Sequence, residues 1–230
     1  MCYNVSVQTK GVCAMTRTER CLSVKFYSIG EEIANAVTHG IGAVLGVFAI
    51  ILLCVKSTDM RQMVSAWVYG GSLVVLFTMS CLYHALTNER AKRILRVFDH
   101  TSIFLLIAGT YTPYTLVTLR GPFGWGLFVF VWLTAIVGIA LNVVSVERFK
   151  KFSMICYIVS GWCVIVALVP LLQNLAFGGF MYLLGGGVLY TVGILFYRKK
   201  SRQWFHALWH GFVLLAACSQ FISIYYYVIG

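Results

Sequence analysis

Seven times between residues 33 and 228 the chain runs for about 20 residues almost without charge, and between the runs it sets short clusters of lysine and arginine. The runs cover about 33–55, 63–85, 99–119, 125–144, 154–175, 177–197 and 206–228. Each is close to the roughly 20 residues that an α-helix needs to cross about 30 Å of hydrocarbon. The pattern predicts an all-α integral membrane bundle of seven transmembrane helices. Composition agrees, with 60% hydrophobic and 11% charged residues and a mean hydropathy of +0.85. Residues 1–27 are expected to be a flexible basic tail ahead of a membrane domain over 28–230. The tail lacks the apolar core of a signal peptide, and Met15 is an alternative start within it.

The net charge of +11 would suggest nucleic acid in a soluble chain. Here the basic residues are topological signals, because fifteen of the 18 fall in the tail and after the second, fourth and sixth runs. Only Lys56, Arg61 and Arg120 fall on the other side. Cytoplasmic loops collect lysine and arginine, so the N-terminus is expected in the cytoplasm and the C-terminus outside. No nucleic-acid partner is expected. The eight cysteines form no CxxC pair, so neither a disulfide framework nor a thiolate zinc site is indicated.

Local signals fit the same plan. Ser28-x-x-Glu31 fits a capping box that starts the first helix. Pro113 and Pro170 should kink the third and fifth helices. Gly185–Gly187 offer a smooth face for close helix approach. Tyr225–Tyr227 read as an interfacial anchor.

The chemistry-bearing residues lie where these helices meet one membrane face. Ser80 and His84 sit near the end of the second run, Asp99 and His100 at the start of the third, and His206 and His210 at the start of the seventh. Ionisable groups at such depths are costly and mark function. His206 and His210 are i and i+4, on one helical face, and with His84 they make the three-imidazole, open-fourth-position pattern of catalytic zinc. Three neutral imidazoles leave the metal doubly charged. Asp99 is therefore better placed beside a bound water, as acceptor or general base, than as a ligand. Ser80, one turn below His84, is positioned to orient a ligand or a developing oxyanion. Plainer roles exist for each residue alone: helix–helix hydrogen bonding for the histidine pair, back-bonding for Ser80, an N-cap for Asp99. Asn35, His39 and His100 are expected to support the ligands from behind, and His39 or His100 is the next candidate should a ligand assignment fail.

With Ser80-x-x-x-His84, Phe98-Asp99-His100 and His206-x-x-x-His210, and with Thr38-His39-Gly40 and Ala108–Tyr114 in support, the chain resembles the bacterial hemolysin III-type proteins. That branch belongs with the progestin and adipoQ receptors and the alkaline ceramidases. The resemblance covers roughly residues 28–228. It implies seven helices in a bacterial inner (plasma) membrane, zinc held by His84, His206 and His210, Asp99 at the bound water, and hydrolysis of an amide bond in a ceramide-like lipid. The expected function is a zinc-dependent hydrolase acting on an amide or ester bond of a membrane lipid, with Asp99 and Ser80 as catalytic residues. The rivals are a cytolysin and a zinc-containing sensor of membrane composition.

Overall fold

The computed structural model describes residues 27–199 and 202–230; the expected tail, Tyr27 apart, and Met15 with it lie outside the described residues. The described residues are helical, with no strand among them. Helices α1 (Ile29–Lys56), α2 (Met60–Ala85) and α3 (Glu89–Pro113) come first. A π-helical turn (Tyr114–Leu119) follows α3 and leads to α4 (Gly121–Trp162). A 3-10 turn (Cys163–Ala167) joins α4 to the short α5 (Leu168–Asn174), and α6 (Phe177–Arg198) and α7 (Phe205–Tyr227) complete the chain. Among the described residues six helical stretches are long and apolar enough to cross a membrane, where the sequence suggested seven.

The difference lies in the stretch Gly121–Asn174, which contains 54 residues. Straight, it would be roughly 80 Å long, more than twice the hydrocarbon thickness. It is not straight, because Ser145 has extended backbone angles (φ −169°, ψ 108°). Across that break the Ser153 hydroxyl donates to Asn142 Oδ1 at 2.8 Å; eleven residues of unbroken helix would hold the two about 16 Å apart. The two limbs also run in opposite senses along α3. In the first, Trp132 Nε1 donates to Thr112 and Gly138 lies against the Phe104 ring. In the second, Tyr157 donates to the His100 carbonyl and Tyr111 to that of Gly161.

Helix starts and breaks have local causes. The Ser28–Glu31 capping box forms as expected, with both reciprocal bonds present. Asn88 caps α3, accepting from the Arg90 and Ala91 amides. The charged stretch 89–96, expected as a loop, is therefore helical, and Asp99 lies a full ten residues into α3, which removes the N-cap reading. After Pro113, which lacks an N–H for the helical ladder, the backbone widens into the π-helical turn, and Thr112 and Thr115 return hydroxyl bonds to the carbonyls of Ala108 and Tyr111.

Helix α1 shows how the bundle faces its solvent. Asn35, His39, Gly42, Gly46 and Leu53 are buried, whereas Val37, Ile41, Val44, Phe48 and Ile51 are exposed. The polar residues are inside and a continuous apolar stripe is outside, the arrangement for lipid and not for water. α1 lies between α2 and α7. At one end the Trp204 amide donates to Glu31 Oε1 (2.8 Å), and at the other Lys56 Nζ donates to the Tyr225 carbonyl (2.5 Å). The first and last helices therefore run parallel.

α6 and α7 pack through glycines spaced seven apart. A Cβ at Gly179, Gly186 or Gly193 would meet Tyr227, Gln220 or Trp209 at 2.6–2.7 Å. Within the Gly185–Gly187 run only Gly186 makes so close an approach. Gly186→Val should thus destabilise the purified protein by about 1–3 kcal/mol. Gly126→Ala, at an exposed helical position with nothing within 4 Å, should be neutral or stabilising by up to about 1 kcal/mol. Thermal melts of both variants in detergent read the contrast.

Candidate metal centre

The site is assembled at the end of the bundle where α1, α3 and α7 begin and α2 ends. The His206-x-x-x-His210 spacing places both rings on one face of α7, with their Nε2 atoms 3.1 Å apart. His84, one residue before the end of α2, completes the group: one ligand-type nitrogen from each of the three lies within 4.8 Å of the others. Tetrahedral zinc with bonds of about 2.0–2.1 Å needs nitrogens roughly 3.4 Å apart. The α7 pair is close to that spacing, and no pair in the group exceeds it by more than about 1.4 Å. His84 Nε2 is buried without a hydrogen-bond partner, a state that a buried polar atom rarely keeps. The donor set is that of a divalent ion such as zinc.

The other sequence-derived candidates divide into two groups. Asn35 and His39 join the cluster: the Asn35 amide nitrogen is 3.4 Å from His84 Nδ1, and the His39 ring stacks on His210 with centroids 3.8 Å apart. Both His39 nitrogens are buried and without a hydrogen-bond partner, and the ring is perpendicular to that of Phe77, with centroids 5.0 Å apart. His100 does not join. Its Nδ1 lies 3.5 Å from Asp99 Oδ2 and 3.0 Å from the Arg96 carbonyl, and the residue lines a separate cavity. Asp99 stands outside the three-nitrogen group, its carboxylate against His100 and near Ser80. Ser80 is buried one turn from His84.

Glu32 and Lys92 were missed by the sequence reading. Glu32 Oε2 lies 2.6 Å from His84 Nδ1 and Oε1 2.6 Å from Lys92 Nζ, so one carboxylate of α1 holds α2 and α3. The signal was present: Glu32, Asn35 and His39 follow i, i+3, i+7 on one helical face. Tyr27 and Trp204 cover the same end. The Tyr27 ring stacks on His206 at 4.5 Å, and burial pushes its phenol up, keeping it protonated. Trp204 takes a left-handed backbone (φ 65°), held by its bond to Glu31, and this docks the start of α7 on α1.

A cavity of about 140 Å³ lies between α3, the second limb of α4, α6 and α7. Ile103, Ile107, Met154 and Ile194 give it apolar walls, and His100 and Tyr197 line it as well. It is comparable to cavities that take up a small hydrocarbon.

Comparison with known proteins adds family context. The sequence profile of the group described as haemolysin-III related matches residues 27–221. The chain is 44% identical to Hemolysin-3 of Bacillus cereus over 204 residues, covering 87% of this chain and 93% of that one. It is 40% identical to the Hemolysin-3 homolog of Bacillus subtilis (strain 168), with 88% and 97% covered. The human monocyte to macrophage differentiation factor is 28% identical, with 86% and 84% covered.

The geometry separates ligand-type histidines from bystanders. Purified protein should carry one zinc per chain, and His84→Ala, His206→Ala and His210→Ala should each lower that occupancy, whereas His100→Ala should keep it. Metal analysis by mass spectrometry decides; full zinc in all three ligand variants would sink the assignment.

Proposed function

The chain belongs to the haemolysin-III related family, and from that premise we propose that it is a zinc-dependent membrane hydrolase that cleaves an amide or ester bond of a membrane lipid. The observation that carries this reading is the convergence of His84, His206 and His210, three buried or half-buried imidazoles. These three residues would hold a zinc ion, which when bound would supply Lewis-acid chemistry and a water acidic near neutral pH. The remaining work falls to the chain. Asp99, outside the ligand group, accepts the proton of the attacking water. Ser80 donates to the oxygen on which negative charge develops. The apolar cavity beside Asp99–His100 takes the hydrocarbon next to the scissile bond, reached from between the helices. A pore-forming cytolysin would need a polar path through the bundle. Leu73, Leu76, Phe77 and Val213 are instead packed into one buried apolar cluster about one to three turns further along the site helices, which favours a site closed toward the far side.

The proposal includes seven crossings, with the N-terminus in the cytoplasm and the protein in the bacterial inner (plasma) membrane. Two observations support the count. The parallel run of α1 and α7 requires an odd number of crossings, and the reversal at Ser145 makes two of the single stretch Gly121–Asn174. Orientation is supported by charge. Arg96 pairs with Glu147, so the basic residues around Ser145 share the site end with those of α3, and basic ends face the cytoplasm. A reporter fused after Arg148 should be active in the cytoplasm, and one fused after Gly230 outside it. Cytoplasmic activity of the Gly230 fusion would refute the orientation.

The chemistry is tested with fluorescent ceramide and ester lipids in nanodiscs. The zinc-loaded parent should hydrolyse at least one of them, and Asp99→Asn should retain zinc while losing about 100- to 10,000-fold in rate. Unchanged activity in that variant removes Asp99 from the mechanism. No hydrolysis by the loaded parent across the panel favours a zinc-containing sensor instead.

A further inference from the structure

The ligand face of His84 is set by a residue that touches none of the other ligands. We infer that Glu32, with Lys92 behind it, is the positioning residue that turns the His84 ring and fixes its tautomer, so that Nε2 is the atom offered to the metal. This inference rests on the metal reading above. An ionised carboxylate can only accept hydrogen bonds. With Glu32 Oε2 at 2.6 Å, the Nδ1 of His84 must therefore carry the proton, and Nε2 is left as a bare lone pair. That Nε2 is buried and without a hydrogen-bond partner, on a ring grouped with the two α7 histidines. The Asn35 amide, 3.4 Å from the same Nδ1, is the weaker contact.

Glu32 is in turn fully engaged. Its Oε1 accepts from Lys92 Nζ at 2.6 Å and from the Tyr27 amide at 3.3 Å. Lys92 is only 1% exposed, and its ammonium lies 5.1 Å from the centre of the Tyr83 ring. A buried ammonium so placed neutralises the carboxylate that the imidazole needs as its acceptor. Carboxylate–histidine pairs of this kind hold metal-ligating rings in many sites, and their loss typically costs about 10- to 100-fold in metal affinity. Glu32 here does so from a different helix, so the orientation of the α2 ligand is coupled to α1 and α3.

A buried ion pair can also be merely structural, and the test must tell the two apart. Glu32→Met alone would strand a lysine in the bundle, so the informative variant is Glu32→Met/Lys92→Met, which removes both charges at similar volume. Zinc affinity of the full chain in detergent is measured by chelator competition in four proteins: the parent, the Met/Met double, His84→Ala, and the triple variant. The expected result is a loss of about 10- to 100-fold in the double, and less than about twofold further loss when the same pair is changed in the His84→Ala background, because no ring remains to be turned. Unchanged affinity in the double, or the same loss with His84 absent, would overturn the positioning role while leaving the metal site standing. A parent that binds no zinc would overturn both.

Discussion

One carboxylate inside an apolar bundle receives hydrogen bonds from two other helices, and the arrangement of the site end depends on it. Glu32 sits on α1, His84 on α2 and Lys92 on α3, each within 2.6 Å of its partner. In a hydrocarbon surrounding, an ionised group without partners would cost several kcal/mol. The three helices must therefore meet where these residues meet. Removing one partner is worse than removing all, because it leaves an uncompensated charge in the core. The neighbouring Glu31 extends the same logic to α7, by closing its own helix cap and accepting the Trp204 amide. Two adjacent acidic residues thus fix the ends of four helices before any ligand is considered.

The apolar packing follows that register. Once α1 and α2 are pinned at Glu32–His84, Gly42 falls against the Phe77 ring more closely than a residue with a Cβ could, and Gly46 lies tightly against Val74. Small residues at such crossings let dispersion replace the hydrophobic drive that lipid does not provide. The outward faces carry no such constraint and are simply apolar.

How much of this was legible in the sequence differs by kind of information. Hydropathy marks where a chain is greasy, and it located the spanning stretches, the Ser28–Glu31 cap and the histidine pair on α7, all of which are local patterns. It could not mark where a helix stops. Residues 89–96 are charged yet helical because Asn88 caps them, and the basic stretch after residue 145 is helical apart from one extended serine. Asp99 consequently moved from a helix start to a helix interior. Nor could periodicity pair Glu32 with a lysine 60 residues away. Counting basic residues placed Lys92 with the cluster between the second and third runs, whereas it is one of the most deeply buried side chains. Of the expected supporting residues, Asn35 and His39 stand at the cluster and His100 faces the cavity, a distinction set by rotation about α3 that spacing alone does not carry.

The parallel contact between α1 and α7 has a consequence for how the protein is made. Glu32 finds Lys92 and His84 once the third helix has been synthesised, so its charge is neutralised early. His206 and His210 belong to the last helix, 174 residues after Glu32 in the sequence. At ribosomal speeds of about 5–20 residues per second that interval is roughly 10–35 s. During it α1 waits in the bilayer with its Asn35 and His39 face uncovered on the side where α7 will dock. A chain interrupted before Phe205 would hold a stable charged knot but only one of the three ligand-type histidines. The site is therefore completed only when α7 docks on α1.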